Sequence, residues 1–320
     1  MRRMLAFLAA SVLALCLCMS VGAETVPGDL EARFGNTPSI EHQGTTYRMR
    51  KRLTSVLLAG TDQRQDDAPT VHMYRSGGQA DFLLLVVIDD NRGTIQPIHI
   101  NRDMMTEITV LNVMGKPTGT RAAQICLAHG FGDGREQSCE LLAEALSKRL
   151  LDIPVDHYAV MSMDGIAVFN DALGGVTVTL ADDFSAVDPQ MTQGTTLRLN
   201  GRQAEIFTRQ RYYVGDQTNV SRMERQQVYM RAAAAELENR LKESASFVST
   251  FFSQLEPYLV TDMNRGRIIN LANLTRQYEL LPVMELQGET LLGENGFIEF
   301  YPSEDSVTNT VLGAFYAPVP

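Results

Sequence analysis

The stretch Asp81-Phe82-Leu83-Leu84-Leu85-Val86-Val87-Ile88-Asp89-Asp90-Asn91-Arg92-Gly93-Thr94-Ile95-Gln96-Pro97-Ile98-His99-Ile100-Asn101-Arg102-Asp103 reads as one complete β-hairpin. Residues 82–88 are unbroken apolar and rich in β-branched types, which marks a central strand buried on both faces. Asp90-Asn91-Arg92-Gly93 is turn chemistry. Residues 94–100 form the return strand. With the turn centred between Asn91 and Arg92, residues equidistant from that centre face each other. Asp81 then lies opposite Arg102, and Asp103 reaches the same end of the sheet.

Upstream, Val56-Leu57-Leu58-Ala59-Gly60 is a short buried strand that runs into Thr61-Asp62-Gln63-Arg64. Asp62 therefore leaves a strand at its end, where α/β proteins usually place ligands. Residues 65–80 form a polar loop. Downstream, residues 121–130 and 138–151 read as helices and 157–161 as a strand. A helix over 164–173 is stopped by Gly174-Gly175, and 176–180 alternates as a strand. Helices are expected over 201–208, 222–243 and 263–280, followed by a strand–turn segment ending near Tyr316. Interleaved strands and helices predict an α/β class with a mixed sheet.

The densest charge pattern is Arg209-Gln210-Arg211, Asp216 and Asn219-Val220-Ser221-Arg222-Met223-Glu224-Arg225-Gln226-Gln227. Ser221 followed by Glu224 reads as a capping box, which starts a helix at Arg222. Arg222, Arg225 and Gln226 then share one helix face. Guanidinium groups at a helix N-terminus make an anion trap, because free N–H groups and the helix dipole add to their charge. Arginine forks match phosphate oxygens two at a time, so a pyrophosphate is the expected ligand. A solvated basic helix face is the alternative.

The chain has 320 residues, a formal net charge of −10 and 44% hydrophobic content. This suits one large globular domain, or one domain plus a small addition. The acidic balance excludes a non-specific nucleic-acid binder, which needs a basic surface. Met1-Arg2-Arg3 precedes an uncharged apolar run over residues 4–23. The two arginines orient that run with its N-terminus in the cytoplasm, leaving the rest outside. Residues 1–23 read as a signal-anchor long enough to span a bilayer. Cleavage near Ala23, after Val21-Gly22-Ala23, is the alternative and would release a secreted protein. Residues 24–52 read as a membrane-proximal linker and a first hairpin. Cys126 and Cys139 are the only cysteines beyond the apolar run. An isolated pair in an oxidising compartment predicts a disulfide, worth about 3 kcal/mol in the chain-entropy model. Two buried thiols are the alternative.

Six pieces in order resemble the LytR-CpsA-Psr family of cell-envelope proteins. They are Leu57-Leu58-Ala59-Gly60-Thr61-Asp62-Gln63-Arg64, Ala80-Asp81, Ile100-Asn101-Arg102-Asp103, Ile153-Pro154-Val155-Asp156-His157-Tyr158, Asp171-Ala172-Leu173-Gly174-Gly175-Val176 and the arginine motif. The resemblance implies a three-layer α/β/α sandwich around a central mixed β-sheet. Residues 53–245 would form the catalytic domain, with 246–320 packed on it. It further implies a membrane-anchored, outward-facing protein of Gram-positive type. Such proteins transfer a glycopolymer from a polyprenyl-pyrophosphate carrier to peptidoglycan, with the lipid in an apolar pocket and Mg²⁺ on aspartates.

Carried onto this chain, the resemblance assigns Arg64, Arg102, Arg209, Arg211, Arg222 and Arg225 to the pyrophosphate, with Gln226 as a hydrogen-bonding neighbour. Asp62 and Asp81 are assigned to Mg²⁺, and Asp103 is a base or, preferably, an orienter of Arg102. The chemistry suits those residues, since phosphoryl transfer asks mainly for positioning and charge neutralisation. The chain departs from the family pattern at Gln79, where arginine is usual, at Asn101, where proline is common, and at Asn219, where an acidic residue is common. Read singly, Asp62 is a turn cap and Asp81 with Arg102 a plain cross-strand ion pair. His129 and His157 look structural, and Tyr212 and Tyr213 either line the pocket mouth or pack. The rival functions are a non-enzymatic polyprenyl-phosphate-binding sensor or scaffold and a pyrophosphatase acting on the same lipid.

Overall fold

The computed structural model describes residues 38–63 and 77–319, except 113, 211, 218, 244–246 and 276. The expected anchor over residues 1–23, Arg64 and Arg211 lie outside the described residues. Among the described residues, no helix is long and apolar enough to cross a membrane.

A first hairpin, β1 (Ser39–His42) and β2 (Thr45–Met49), precedes the central strands β3 (Leu53–Thr61), β4 (Ala80–Asp89) and β5 (Thr94–Ile100). A second hairpin, β6 (Met105–Leu111) and β7 (Pro117–Gln124), leads to helices α1 (Cys126–Gly130) and α2 (Glu136–Arg149). Then come β8 (His157–Ser162), α3 (Gly165–Ala172), β9 (Val176–Thr179), β10 (Thr196–Leu199), α4 (Gly201–Arg209), α5 (Asn219–Glu243) and α6 (Phe247–Leu255). The last elements are β11 (Leu259–Thr261), α7 (Arg265–Thr275), β12 (Glu279–Leu280), β13 (Met284–Glu285), β14 (Gly288–Leu292), β15 (Ile298–Pro302), α8 (Glu304–Phe315) and β16 (Tyr316–Pro318).

The central sheet runs β11-β8-β3-β4-β5-β12, with β13 also on β5. It is mixed: β3 is parallel to β8 and antiparallel to β4. The register of β4 on β5 is the one the turn dictates, from Asp89 opposite Thr94 to Leu83 opposite Ile100. Side chains alternate across the pleat, so the sheet buries both faces. Leu57, Ala59, Leu83, Leu85, Ile98 and Ile100 pack with Leu142 and Leu146 of α2 and with Val311 and Phe315 of α8. Val56, Leu58, Leu84, Val86 and Ile88 pack on the other side with Phe252 of α6 and Ile268 and Leu271 of α7. That is the three-layer α/β/α arrangement. A third cluster joins α3, α4, α5 and α6 around Leu173, Val178, Phe184, Phe207, Tyr229 and Leu237.

Four sequence expectations are corrected, and the first is the strand–turn segment ending near Tyr316, which instead contains the helix α8 over Glu304–Phe315. Residues 121–124 are strand, not helix, because they complete β7 against β6, with Arg121 opposite Ile108 and Gln124 opposite Met105. The helix expected over 263–280 stops at Thr275, and residues 279–280 add to the sheet edge beside β5. The Cys126–Cys139 disulfide is not formed, and both cysteines are buried free thiols. Their sulfurs face different partners. Cys126 Sγ accepts from Arg102 Nη2 at 3.5 Å, while Cys139 Sγ lies 4.0 Å from His129 Nε2.

The sheet edge at β11 is held by Asp262. His157 Nδ1–H donates to its Oδ2 at 2.8 Å and the Tyr158 N–H to its Oδ1 at 2.9 Å. Burial pushes this carboxyl up, but the two hydrogen bonds outweigh it and hold it below the ordinary aspartate value. A depressed folded value means the stabilisation is present above about pH 4, the unfolded value, and is lost as pH falls through the folded one. Asp262→Asn should therefore cost about 1 kcal/mol at pH 7, a modest figure because the pair is part-exposed. Denaturant titrations at descending pH should show the gap between variant and wild type closing. A gap that is constant with pH would refute the assignment.

Candidate active site

Three strand ends meet at one edge of the central sheet. β3 ends at Thr61, β4 begins at Ala80 and β5 ends at Ile100. A register shift between Gly60, opposite Phe82, and Thr61, opposite Ala80, leaves Asp81 as the extra residue of a bulge on β4, just before β3 runs out into Asp62. Asp81 is the bulged residue of β4 between Ala80 and Phe82, Arg102 lies two residues past the end of β5, and they form the ion pair that the hairpin geometry implies. Arg102 Nη1 donates to Asp81 Oδ1. The other carboxylate oxygen, Oδ2, lies 3.5 Å from Nη2 of Arg222. One carboxylate thus stands between two guanidinium groups.

All three side chains are largely withdrawn from water, with exposures of 14% for Arg102, 10% for Asp81 and 12% for Arg222. Solvent screens such charges weakly, so their mutual attraction and their attraction for an incoming anion are both strong. Asp103 lies behind Arg102, with its Oδ1 3.4 Å from Arg102 Nε. That nitrogen is buried and makes no hydrogen bond of good geometry. Burial pushes the Asp103 carboxyl up, and the adjacent Arg102 charge offsets this only in part.

Gln79 couples the carboxylates to the arginine. Its N–H donates to Asp62 Oδ1 at 2.5 Å, its carbonyl accepts from the Asp62 N–H at 3.0 Å, and its Oε1 accepts from Arg102 Nη2 at 2.7 Å. From sequence, Gln79 reads only as a lost arginine; here it is a connector. Arginine has no acceptor and could not receive the Arg102 hydrogen bond. The preceding Gly78 has φ +72°, and a Cβ there would lie 2.8 Å from Asp62 Oδ1. Glycine is therefore required where the loop crosses under Asp62. Below it, His129 is buried with Nδ1 3.3 Å from the Gly78 carbonyl. Burial lowers its pKa and the residue is structural.

The rest of the arginine motif divides. α5 begins at Asn219, before the expected start at Arg222. Ser221 is thus inside the helix, and its hydroxyl donates to Asp216 Oδ1 at 2.5 Å instead of capping. Arg222 points to Asp81, whereas Arg225, one turn on, is only 4% exposed and faces elsewhere. Its Nη1 donates to Asp182 Oδ2 at 2.9 Å, its Nε to the Phe207 carbonyl at 3.3 Å and its Nη2 to the Gln210 carbonyl. The guanidinium also stacks 5.4 Å from the Phe184 ring centre. Every fork of Arg225 is used, two to fasten α5 to the end of α4 and one to hold Asp182 in the β9–β10 connection. Gln226 does the same, donating to the Thr208 carbonyl at 3.1 Å. Arg209 pairs with Glu205 one turn back on α4. Asp62, Asp81, Arg102, Asp103 and Arg222 are therefore linked in one network, while Arg225 and Gln226 hold its scaffold and Arg209 pairs within its own helix.

Two carboxylates in this network, Asp62 and Asp81, can serve a hard cation. No group of three His, Cys, Asp or Glu side chains able to hold a metal occurs among the described residues. Mg²⁺ is commonly held by one or two carboxylates together with substrate phosphates.

The LytR_cpsA_psr family model matches residues 31–311. The polyisoprenyl-teichoic acid–peptidoglycan teichoic acid transferase TagU of Halalkalibacterium halodurans is 30% identical over 195 residues, which are 61% of this chain and 54% of that protein. TagU of Bacillus cereus is 31% identical over 157 residues, 49% of this chain and 44% of that protein. The chain spans about half the length of the curated relatives it matches. Among solved structures, B. subtilis TagV matches with a TM-score of 0.60 at 20% identity, covering 83% of this chain and 98% of TagV. TagT bound to LI-WTA matches with a TM-score of 0.57 at 19% identity, covering 82% of this chain and 90% of that one. At these identities the likeness is one of fold.

Proposed function

The chain belongs to the LytR_cpsA_psr family, and we propose that it is an extracytoplasmic phosphotransferase. It would move a glycopolymer from a polyprenyl-pyrophosphate carrier to a peptidoglycan hydroxyl. The observation that carries this reading is the Asp81 carboxylate held between Arg102 and Arg222 at the end of the sheet. Two guanidiniums sharing one carboxylate are arranged to receive a pyrophosphate by partner exchange. The phosphate oxygens replace Asp81 on the guanidinium forks, and both forks keep a counter-charge throughout.

The acceptor hydroxyl oxygen forms a bond to the glycan-side phosphorus. The bond from that phosphorus to the bridging oxygen breaks, and the polyprenyl monophosphate leaves with the electron pair. The hydroxyl proton is released to solvent. Arg102 and Arg222 balance the charge that grows on the phosphoryl oxygens. The Asp103 carboxylate attracts the Arg102 guanidinium from its Nε side by charge, and Gln79 orients it by the hydrogen bond through Nη2. Mg²⁺ bound by Asp62 and Asp81 would supply further neutralisation of the phosphates. The apolar run over residues 4–23 would hold the protein at the outer face of the membrane, as a signal-anchor or until cleavage near Ala23.

The test is to incubate the chain with a pyrophosphoryl-lipid-linked glycan, Mg²⁺ and peptidoglycan fragments, and to read the products by mass. A phosphodiester-joined glycan and peptidoglycan is the expected product. Release of glycan phosphate alone would favour a pyrophosphatase, and unchanged donor a binding protein. Equal turnover in EDTA would remove the metal. In the same assay Gln79→Met should lower kcat/KM by about 10- to 100-fold, the worth of one hydrogen bond to a charged group. Gln79→Glu keeps the acceptor and should retain most of the activity. If Met and Glu variants behave alike, Gln79 does not orient Arg102.

A further inference from the structure

We propose that Tyr212 and Tyr213 form a saccharide platform beside the transfer cleft, taking a pyranose ring of the acceptor glycan. This rests on the phosphotransfer reading above and adds where the acceptor docks. Tyr212 is 66% exposed and Tyr213 is 77% exposed, so neither ring contributes to the core. Tyr213 has φ +64°, a left-handed conformation that is a real outlier for a bulky residue. Gly215 at φ +52° and Gln217 at φ +60° share that region within the same loop.

A loop wound in this way persists only when its surroundings hold it, and here they do. Val214 is buried beneath it. A Cβ on Gly215 would meet Asp182 Oδ1 at 2.9 Å, and Asp182 is the carboxylate that receives Arg225. Arg225 also donates to the Gln210 carbonyl, while Gln210 Nε2 donates to the Tyr212 carbonyl at 2.9 Å. At the far end, Gln217 N–H donates to the Val214 carbonyl at 3.1 Å and Ser221 ties down Asp216. The backbone is fastened from below and both rings are turned outward.

The loop joins the end of α4 to the start of α5, whose first turn carries Arg222 on Asp81. Among its described residues, the exposed side chains are two aromatic rings next to the planar polar groups of Asp216 and Gln217. A sugar ring suits that set, with its C–H face on an aromatic ring and its hydroxyls on the amide and carboxylate. A purely apolar partner would desolvate Asp216 and Gln217 without replacing their hydrogen bonds.

Isothermal titration of the chain with a β-1,4-linked N-acetylglucosamine tetramer tests this. Wild type should bind, and Tyr212→Ala with Tyr213→Ala should weaken binding by at least about tenfold. The double Phe variant should stay within about threefold of wild type, because the ring face makes the contact. Tyr213→Gly relieves the left-handed backbone, so a loss of tetramer binding with an unchanged or higher melting temperature cannot be unfolding. Absence of binding by wild type would overturn the platform, as would binding by the Ala variant equal to wild type. Cosedimentation with phosphatidylcholine vesicles that depends on the tyrosines, with tetramer binding unaffected, would assign the rings to a lipid surface and overturn it as well. Donor turnover by wild type, assayed separately, tests the transferase reading. Tyrosine-dependent tetramer binding without turnover would refute that reading and leave the platform standing.

Discussion

Asp81→Ala is expected to lower the rate of transfer by about 10³-fold while leaving pyrophosphate binding intact or tighter. Asp81 is the shared counter-ion of Arg102 and Arg222. Its removal leaves two largely buried guanidiniums facing each other without a carboxylate between them, and a phosphate becomes a stronger partner for both. Ground-state binding then survives, but the site enters the reaction without the Asp81 carboxylate beside the phosphates. A lost charged group at a phosphoryl centre commonly costs 10²–10³ in rate, and loss of a metal ligand would add to it. Asp81→Asn retains one acceptor oxygen and should fall between the two. Single-turnover measurements with lipid-linked donor would separate binding from chemistry. An Asp81→Ala enzyme within threefold of wild type would leave the carboxylate without a role in transfer.

Arg225→Ala is expected to destabilise the fold by about 3–5 kcal/mol, the usual consequence of removing one member of a buried ion pair. For a protein of this size the melting temperature should fall on the order of 10 °C. The guanidinium satisfies Asp182 and two backbone carbonyls, and all three would lose their partner in a poorly hydrated place. Lysine is no substitute, because a single ammonium cannot reach three acceptors set around a planar fork. The contrast is with Arg222→Ala, which leaves Asp81 paired with Arg102, and so should lower the melting temperature less than Arg225→Ala does and weaken pyrophosphate binding. If Arg225→Ala melts with wild type but loses donor affinity, then Arg225 belongs to the ligand site and not to the scaffold.

The difference between those two arginines could not be seen in the sequence. They share a helix face at a spacing of three, and both sit in a motif that reads as an anion trap. What separates them is Asp182, which comes from a loop 43 residues upstream. Local patterning carries no record of such a partner. The hairpin shows the opposite case. An antiparallel register is fixed by its turn, so the facing of Asp81 and Arg102 follows from the position of Asn91 and Arg92 alone. The alternating burial that makes three layers was equally open to reading in 56–59 and 82–88. Residues 121–124 misled because Arg-Ala-Ala-Gln favours a helix in isolation, while β6 offered a strand partner. The cysteines misled because loop entropy says what a bond would be worth, not where two sulfurs point. Gln79 was missed because its role depends on an Oε1 acceptor meeting Arg102, a contact across 23 residues.

The decisive measurement is calorimetric titration of a short-chain polyprenyl pyrophosphate into wild type, Arg102→Ala, Arg222→Ala and the double variant. Each guanidinium that grips the phosphates should contribute about 10- to 100-fold in affinity, and the double variant should bind the pyrophosphate no better than the matching monophosphate. Asp62, Asp81 and Gln79 variants should not show that loss. A double variant that binds the pyrophosphate as tightly as wild type would contradict the proposal that Arg102 and Arg222, held by Asp81, form the phosphate-binding centre.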